Sequence, residues 1–147
     1  MKRLLFPVVL VVLLVSACAQ STPAVTTPDL TTEREVTVDG KTYKVIPVTR
    51  LKSMLDSKDF LLVNVHIPYE GEIKGTDLFI PYNEIEKNLD KLPADKNAKI
   101  VIYCRSGNMS SIAAKTLARL GYTNITDVEG GMVEWEREGY PLIKTPQ

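Results

Sequence analysis

The chain has 147 residues, with 18 Lys and Arg against 18 Asp and Glu, 44% hydrophobic residues and two cysteines. Without clustered cations it has no polybasic footprint, which argues against nucleic-acid binding, since phosphate neutralisation needs gathered Lys and Arg. Two cysteines make no disulfide framework, and the length beyond the N-terminal segment suits one hydrophobic core and not two.

Residues 1–17 have the three-part layout of an export signal: Lys2 and Arg3, an apolar stretch from Leu4 to Val15, then the small residues Ser16 and Ala17. A membrane span needs about 20 apolar residues. This stretch is shorter and contains Pro7, so removal on export is expected instead. Val15-Ser16-Ala17-Cys18 resembles the lipobox of prokaryotic lipoproteins, and that resemblance implies lipidation at Cys18, a membrane anchor and an extracytoplasmic location. An ordinary secretory signal cleaved near Ala17 or Ala19 is the alternative. Without Lys2 and Arg3 the balance is 16 cations against 18 anions, a net charge of about −2. Residues 18–35, rich in Thr, Ser and Pro, read as an extended tether, and residues 36–147 as one domain.

Within the domain, Val36, Val38, Tyr43 and Val45 alternate with polar residues around Asp39-Gly40, a hairpin signal expected to precede the main sheet. After Pro47, Thr49 is placed to cap a short helix through Leu55. The apolar run from Phe60 to Val65 suits a strand buried on both faces. A short strand over Leu78-Phe79-Ile80, a helix from Tyr82 to Leu89 and a turn at Pro93-Ala94-Asp95 are expected next. Ile100 to Tyr103 is the clearest buried strand. A helix follows, with Ile112, Ala113, Leu117 and Leu120 on one face and Gly121 at its end. A last strand spans Ile125 to Val128, and a last helix Met132 to Glu138 opens at Gly130-Gly131. Strand and helix alternate, which predicts an α/β domain with a mainly parallel sheet covered on both faces.

Cys104 falls where a buried parallel strand ends and a polar loop leads into a helix, the place where open α/β sheets hold ligands. An isolated cysteine is most often a small buried hydrophobe. The loop Arg105-Ser106-Gly107-Asn108-Met109-Ser110 argues otherwise, because a structural cysteine needs neither a cation nor a tight Gly turn beside it. The helix N-terminus and Arg105 both favour a thiolate over a thiol, and Gly107 lets several amides face one point.

Tyr103 to Asn108 followed by Ser110 resembles the active-site loop of rhodanese-like sulfurtransferases, and Leu120-Gly121-Tyr122, Gly130-Gly131-Met132 and Trp135 match the segment that follows it. The resemblance runs from about Val45 to Pro141. It implies a five-stranded parallel sheet with helices on both sides, and a nucleophilic Cys104 that carries sulfane sulfur as a persulfide. It also implies that the amides of Arg105 to Ser110, helped by the Ser106 and Ser110 hydroxyls, stabilise that persulfide. No metal or organic cofactor is needed for such chemistry. The partners implied are a small sulfur-donor anion and a thiol or persulfide acceptor, either a small molecule or a partner protein.

Three departures bear on specificity. Met109 stands where the family often has an Arg that would help bind thiosulfate. Asn64-Val65-His66 and Gly71-Glu72-Ile73-Lys74-Gly75-Thr76 replace common scaffold sequences beside the pocket. A phosphatase or arsenate reductase would need an Arg six positions after the cysteine, and Ser110 is there instead. His66, the single histidine, has no ligand cluster around it and is expected to hydrogen-bond within the scaffold. Met132 and Trp135 read as core or pocket wall, and the charged residues from Glu134 to Glu138 as a solvated face. The competing class is a binding or redox-sensing module that keeps the fold and loop without turnover.

Overall fold

The computed structural model describes residues 32–144. The export signal, Cys18 and most of the tether lie outside the described residues.

Strands β1 (Arg34–Val38) and β2 (Lys41–Ile46) form the expected antiparallel hairpin, with Val38 opposite Lys41. Asp39 and Gly40 both have positive φ, 52° and 71°, the tight turn whose twist matches that of the strands. The hairpin does more than precede the sheet. Strand β2 pairs in parallel with β7 (Ile125–Val128), so the hairpin supplies one of the five parallel strands, and β1 adds an antiparallel edge. The order is β1-β2-β7-β6-β3-β5, where β3 is Leu61–Asn64, β5 Leu78–Phe79 and β6 Ile100–Tyr103. Strand β6 is central among the parallel strands, between β7 and β3.

Alternation along β6 sends side chains to two separate layers. Ile100, Ile102 and Cys104 pack with Ala113, Ala114, Leu117 and Ala118 of helix α2 (Asn108–Arg119). Val101 and Tyr103 pack on the other face with Leu51 of helix α1 (Val48–Leu55) and with Met132 and Trp135 of helix α3 (Gly131–Arg137). The predicted α/β domain, with helices on both sheet faces, is the one observed. Trp135 is core, as expected, and its indole N–H donates to Pro141 O at 3.0 Å.

Two local expectations need correction, and one small element had no expectation at all. Helix α1 is capped by Pro47, whose carbonyl accepts from Arg50 and Leu51 N–H, while Thr49 lies inside the first turn. Burial decides this register: Val48 and Leu51 are 1% and 0% exposed, and three-residue spacing puts both on the sheet side only if the helix starts at Val48. The helix expected from Tyr82 is a 3-10 segment over Ile85–Lys91, broken at Asn88. The Asn88 amide donates to Glu84 O at 2.8 Å, a side-chain bond that competes with regular helix. A second, two-stranded sheet pairs β4 (Glu72–Ile73) with β8 (Leu142–Ile143), too short to leave a period in the sequence.

Tyr103 ties these layers together. Its buried hydroxyl accepts from Ile73 N–H at 2.9 Å and lies 2.7 Å from Thr76 Oγ1, which itself donates to Ile73 O. The proton count then closes only if Tyr103 donates to Thr76. Burial raises the phenol pKa far above its ordinary value, so the hydroxyl stays neutral. Tyr103→Phe is expected to leave the Ile73 N–H unsatisfied and cost about 2 kcal/mol, a fall in Tm of about 10 °C in a thermal melt.

Candidate active site

Cys104 directly follows the central strand, is 1% exposed and is a free thiol. Beyond it the chain turns through Gly107 at φ 98°, and this residue is also the N-cap of α2. Gly107 N–H donates to Cys104 Sγ at 3.1 Å. Sulfur thus sits at the N-terminus of a 12-residue helix, whose first-turn N–H groups have no partner within the helix and whose dipole favours an anion.

The loop is held from behind by α3. Met132 N–H donates to Cys104 O at 3.0 Å and Val133 N–H to Arg105 O at 2.9 Å. These bonds require close approach of two backbones at Gly131, where a Cβ would lie 2.1 Å from Cys104 O. The Gly130-Gly131 pair therefore serves the cysteine loop as well as opening a helix.

The structure places the other residues singled out in the sequence as follows. Arg105 and Ser106 are exposed beside Cys104, but the Arg105 charge is not free: its Nε lies 2.8 Å from Glu70 Oε2. Ser110 is fully buried, and its hydroxyl donates to Gly107 O at 3.1 Å, so it braces the loop and does not face the sulfur as expected for a persulfide ligand. Asn108 is exposed at the helix start. Met109 packs against the apolar layer under α2. Of the loop amides expected around sulfur, that of Gly107 is the one bonded to it among the described residues.

His66 is 6% exposed and differs from expectation. Its backbone N–H is held by Asn64 Oδ1 at 3.0 Å, but neither ring nitrogen has a hydrogen-bond partner among the described residues. Nε2 lies 3.4 Å from the same Glu70 oxygen that meets Arg105, within ion-pairing range but off hydrogen-bond geometry. Asn64 carries the scaffold role instead, with its amide donating to Gly71 O at 3.0 Å.

Two residues escaped the sequence reading. Glu70 lies in an irregular loop and gave no signal. Asp127 is a carboxylate in a four-residue strand that is otherwise Ile, Thr and Val, and this composition could have marked it. Asp127 is 4% exposed, and burial pushes its carboxyl up to about 7 against the pull of the Ser110 hydroxyl and Arg34.

The sheet is mainly parallel, with a buried thiol at the carboxyl end of its central strand and a helix N-terminus beside it, which defines an α/β domain whose candidate site is a cysteine loop. The Rhodanese-like domain family matches residues 47–138, and the chain belongs to that family. It is 34% identical over 93 residues to a protein named Sulfurtransferase from Allochromatium vinosum, covering 61% of this chain and 84% of that one. It is 32% identical over 107 residues to the tRNA uridine(34) hydroxylase of Erwinia tasmaniensis, covering 66% of this chain but 31% of that protein. Among solved structures, a rhodanese-related protein from Thermoplasma volcanium superposes with TM-score 0.59 at 32% identity, covering 69% of this chain and 98% of that one. A rhodanese-like domain protein from Staphylococcus aureus gives 0.58 at 31%, with the same coverage.

Proposed function

We propose that the protein is a sulfurtransferase that carries sulfane sulfur as a persulfide on Cys104. The observation that carries this reading is the Gly107 N–H aimed at Cys104 Sγ from a helix N-terminus. In the first step the thiolate attacks the outer sulfur of a donor. The Cys104 S–S bond forms, the donor's S–S bond breaks, and its remaining thiolate or sulfite leaves with the electron pair. In the second step an acceptor thiolate attacks the outer sulfur of the persulfide, takes it, and Cys104 leaves as thiolate. Sulfur moves with no net oxidation, so neither step needs a redox cofactor.

The entrance favours donors of low charge. Glu70 offsets Arg105, and Met109 is an uncharged, partly buried side chain packed against the core, so neither position offers a free cation to the thiosulfate dianion. A persulfide or polysulfide donor is therefore preferred. Glu70→Gln frees the Arg105 guanidinium and is expected to lower KM for thiosulfate by about threefold, as befits an exposed pair, with less effect on a polysulfide donor. Equal changes for both donors would show that Glu70 does not select by charge.

The test of the main reading is intact-mass analysis of the purified protein after incubation with thiosulfate and with a polysulfide. A gain of one sulfur, about 32 Da, removed by cyanide and absent in Cys104→Ser, is the expected result. No gain with either donor, on folded protein whose Cys104 is alkylated by iodoacetamide, would favour the binding or redox-sensing module.

Residues 1–18 support export and anchoring through lipid on Cys18. Incorporation of labelled fatty acid that is lost in Cys18→Ala tests this part of the proposal separately.

A further inference from the structure

Behind the Cys104 loop lies a cavity of about 230 Å³ lined by Arg34, Tyr43, Ser106, Asn108, Asp127 and Glu129, among others. Asp127 stands out in it. Its Oδ1 is buried without a hydrogen-bond partner, an arrangement costly for a carboxylate. The carboxyl is held by the Ser110 hydroxyl and the Val128 N–H, and the same Ser110 hydroxyl bonds Gly107 O at 3.1 Å. Gly107 in turn presents its N–H to Cys104 Sγ. Four residues on two elements and one loop thus form a continuous chain of polar contacts from a buried acid to the thiol.

We infer that Asp127 is a positioning residue that sets the hydrogen bonding of the Cys104 loop through Ser110 and Gly107, according to whether its carboxyl carries a proton. The reason is that a serine hydroxyl has one hydrogen. With Asp127 protonated, its O–H donates to Ser110 Oγ, and Ser110 is free to donate to Gly107 O. With Asp127 ionised, the Ser110 hydrogen turns to the carboxylate. Gly107 O then keeps only its bond from Ser111 N–H, at 3.0 Å. That loosens the turn that presents Gly107 N–H to Cys104 Sγ and so disfavours the reactive form of the sulfur.

The groups facing Asp127 are few. From β1 comes Arg34, paired with Glu129 at 2.6 Å; from β2, Tyr43, whose own pKa is raised, chiefly by burial and then by the Asp127 charge. From α2 comes Ser110, and β6 contributes Ile102 opposite it in register. Glu129 opposes ionisation of Asp127 and Arg34 favours it, with burial the largest influence. The switch therefore falls near neutrality, where a change of about one pH unit alters the site.

The inference rests on Cys104 as the reacting group but not on its sulfur chemistry, and the experiment is chosen accordingly. The rate of alkylation of Cys104 by iodoacetamide, an uncharged reagent, is measured from about pH 5.5 to about 8.5 in the wild-type protein, Asp127→Asn and Ser110→Ala. Asn is neutral throughout, and its amide N–H can donate to Ser110 as the protonated acid does. The ratio of the Asp127→Asn rate to the wild-type rate is expected to stay near one at the acid end and to rise about three- to tenfold through neutrality, the size of one lost hydrogen bond. A ratio constant with pH overturns the inference. Ser110→Ala keeps Asp127 and removes the link, so its profile should lose the inflection near neutrality. An inflection retained there also overturns it, and this arm decides should Asp127→Asn not fold. A protein that fails to form a persulfide still gives this profile, so the two readings fail separately.

Discussion

Gly131→Ala is expected to lower the melting temperature by about 15 °C or more, or to leave too little folded protein to measure. An ideal Cβ at this position meets Cys104 O at 2.1 Å and the carbonyl carbon and oxygen of Arg105 at 2.9 Å. All three are backbone atoms, so no side-chain rotation relieves the contact. Either α3 or the cysteine loop must move, breaking the Met132 N–H and Val133 N–H bonds that join them. Overpacking that displaces backbone and two buried hydrogen bonds together costs about 3 kcal/mol or more. Gly139→Ala is the control. That glycine also has positive φ, 82°, but nothing lies within 4 Å of its added Cβ. Its substitution carries only the left-handed backbone penalty of about 1 kcal/mol. Thermal melts of the two variants side by side separate close approach from backbone conformation. Equal losses would mean that the loop is not clamped at Gly131.

Asp127→Asn is expected to stabilise the protein increasingly as pH rises through the window from about 4 to about 7. The folded-state carboxyl is raised to about 7 from an ordinary value of 3.8. Between these values the unfolded chain gives up its proton and the folded chain keeps it, so the folded state binds more protons and wild-type stability falls with rising pH. The contribution of Asp127 is fully present below the unfolded value and lost once pH passes the folded one. Over about three units the loss amounts to about 4 kcal/mol, to order of magnitude. Other carboxylates titrate over the same range, so the informative quantity is the difference in Tm between variant and wild type. That difference should widen by about 10 °C or more from pH 4.5 to 7.5 and then level off. A difference that does not change with pH would show that Asp127 ionises as an exposed acid does. Together with the alkylation profile, this measurement separates where Asp127 titrates from what its titration does to Cys104.

The architecture was legible in the residues because the hydrophobic effect acts on local pattern. Ile100 to Tyr103 is apolar enough to be buried on both faces and is a strand with those bounds, and Ile125 to Val128 is a strand with the bounds expected of it. Asp39-Gly40 specifies its turn through backbone sterics alone, and Cys104 at a strand end before a Gly-containing loop marks the site. Other features depended on what lies far away in sequence. Pro47 rather than Thr49 caps α1 because Val48 and Leu51 must both reach the sheet. The β4–β8 pair exists because Trp135 and Tyr140 pack together, 4.7 Å between ring centroids, and turn the chain end back onto Ile73.

The site shows the same division. Its cysteine and loop were readable from six consecutive residues, whereas its electrostatics came from Glu70 and Asp127, which are 34 residues before and 23 after Cys104. Glu70 carries no local signature of its role, and Asp127 only that of a carboxylate in a short strand. Glu70 matters because the loop after β3 brings it to Arg105, and Asp127 because β7 lies beside β6 with its carboxyl under Ser110. Local backbone and apolar preferences act over a few residues and can be read in order. The charge state of a buried group depends on solvent exclusion and on neighbours supplied by other elements, and only the folded chain decides those.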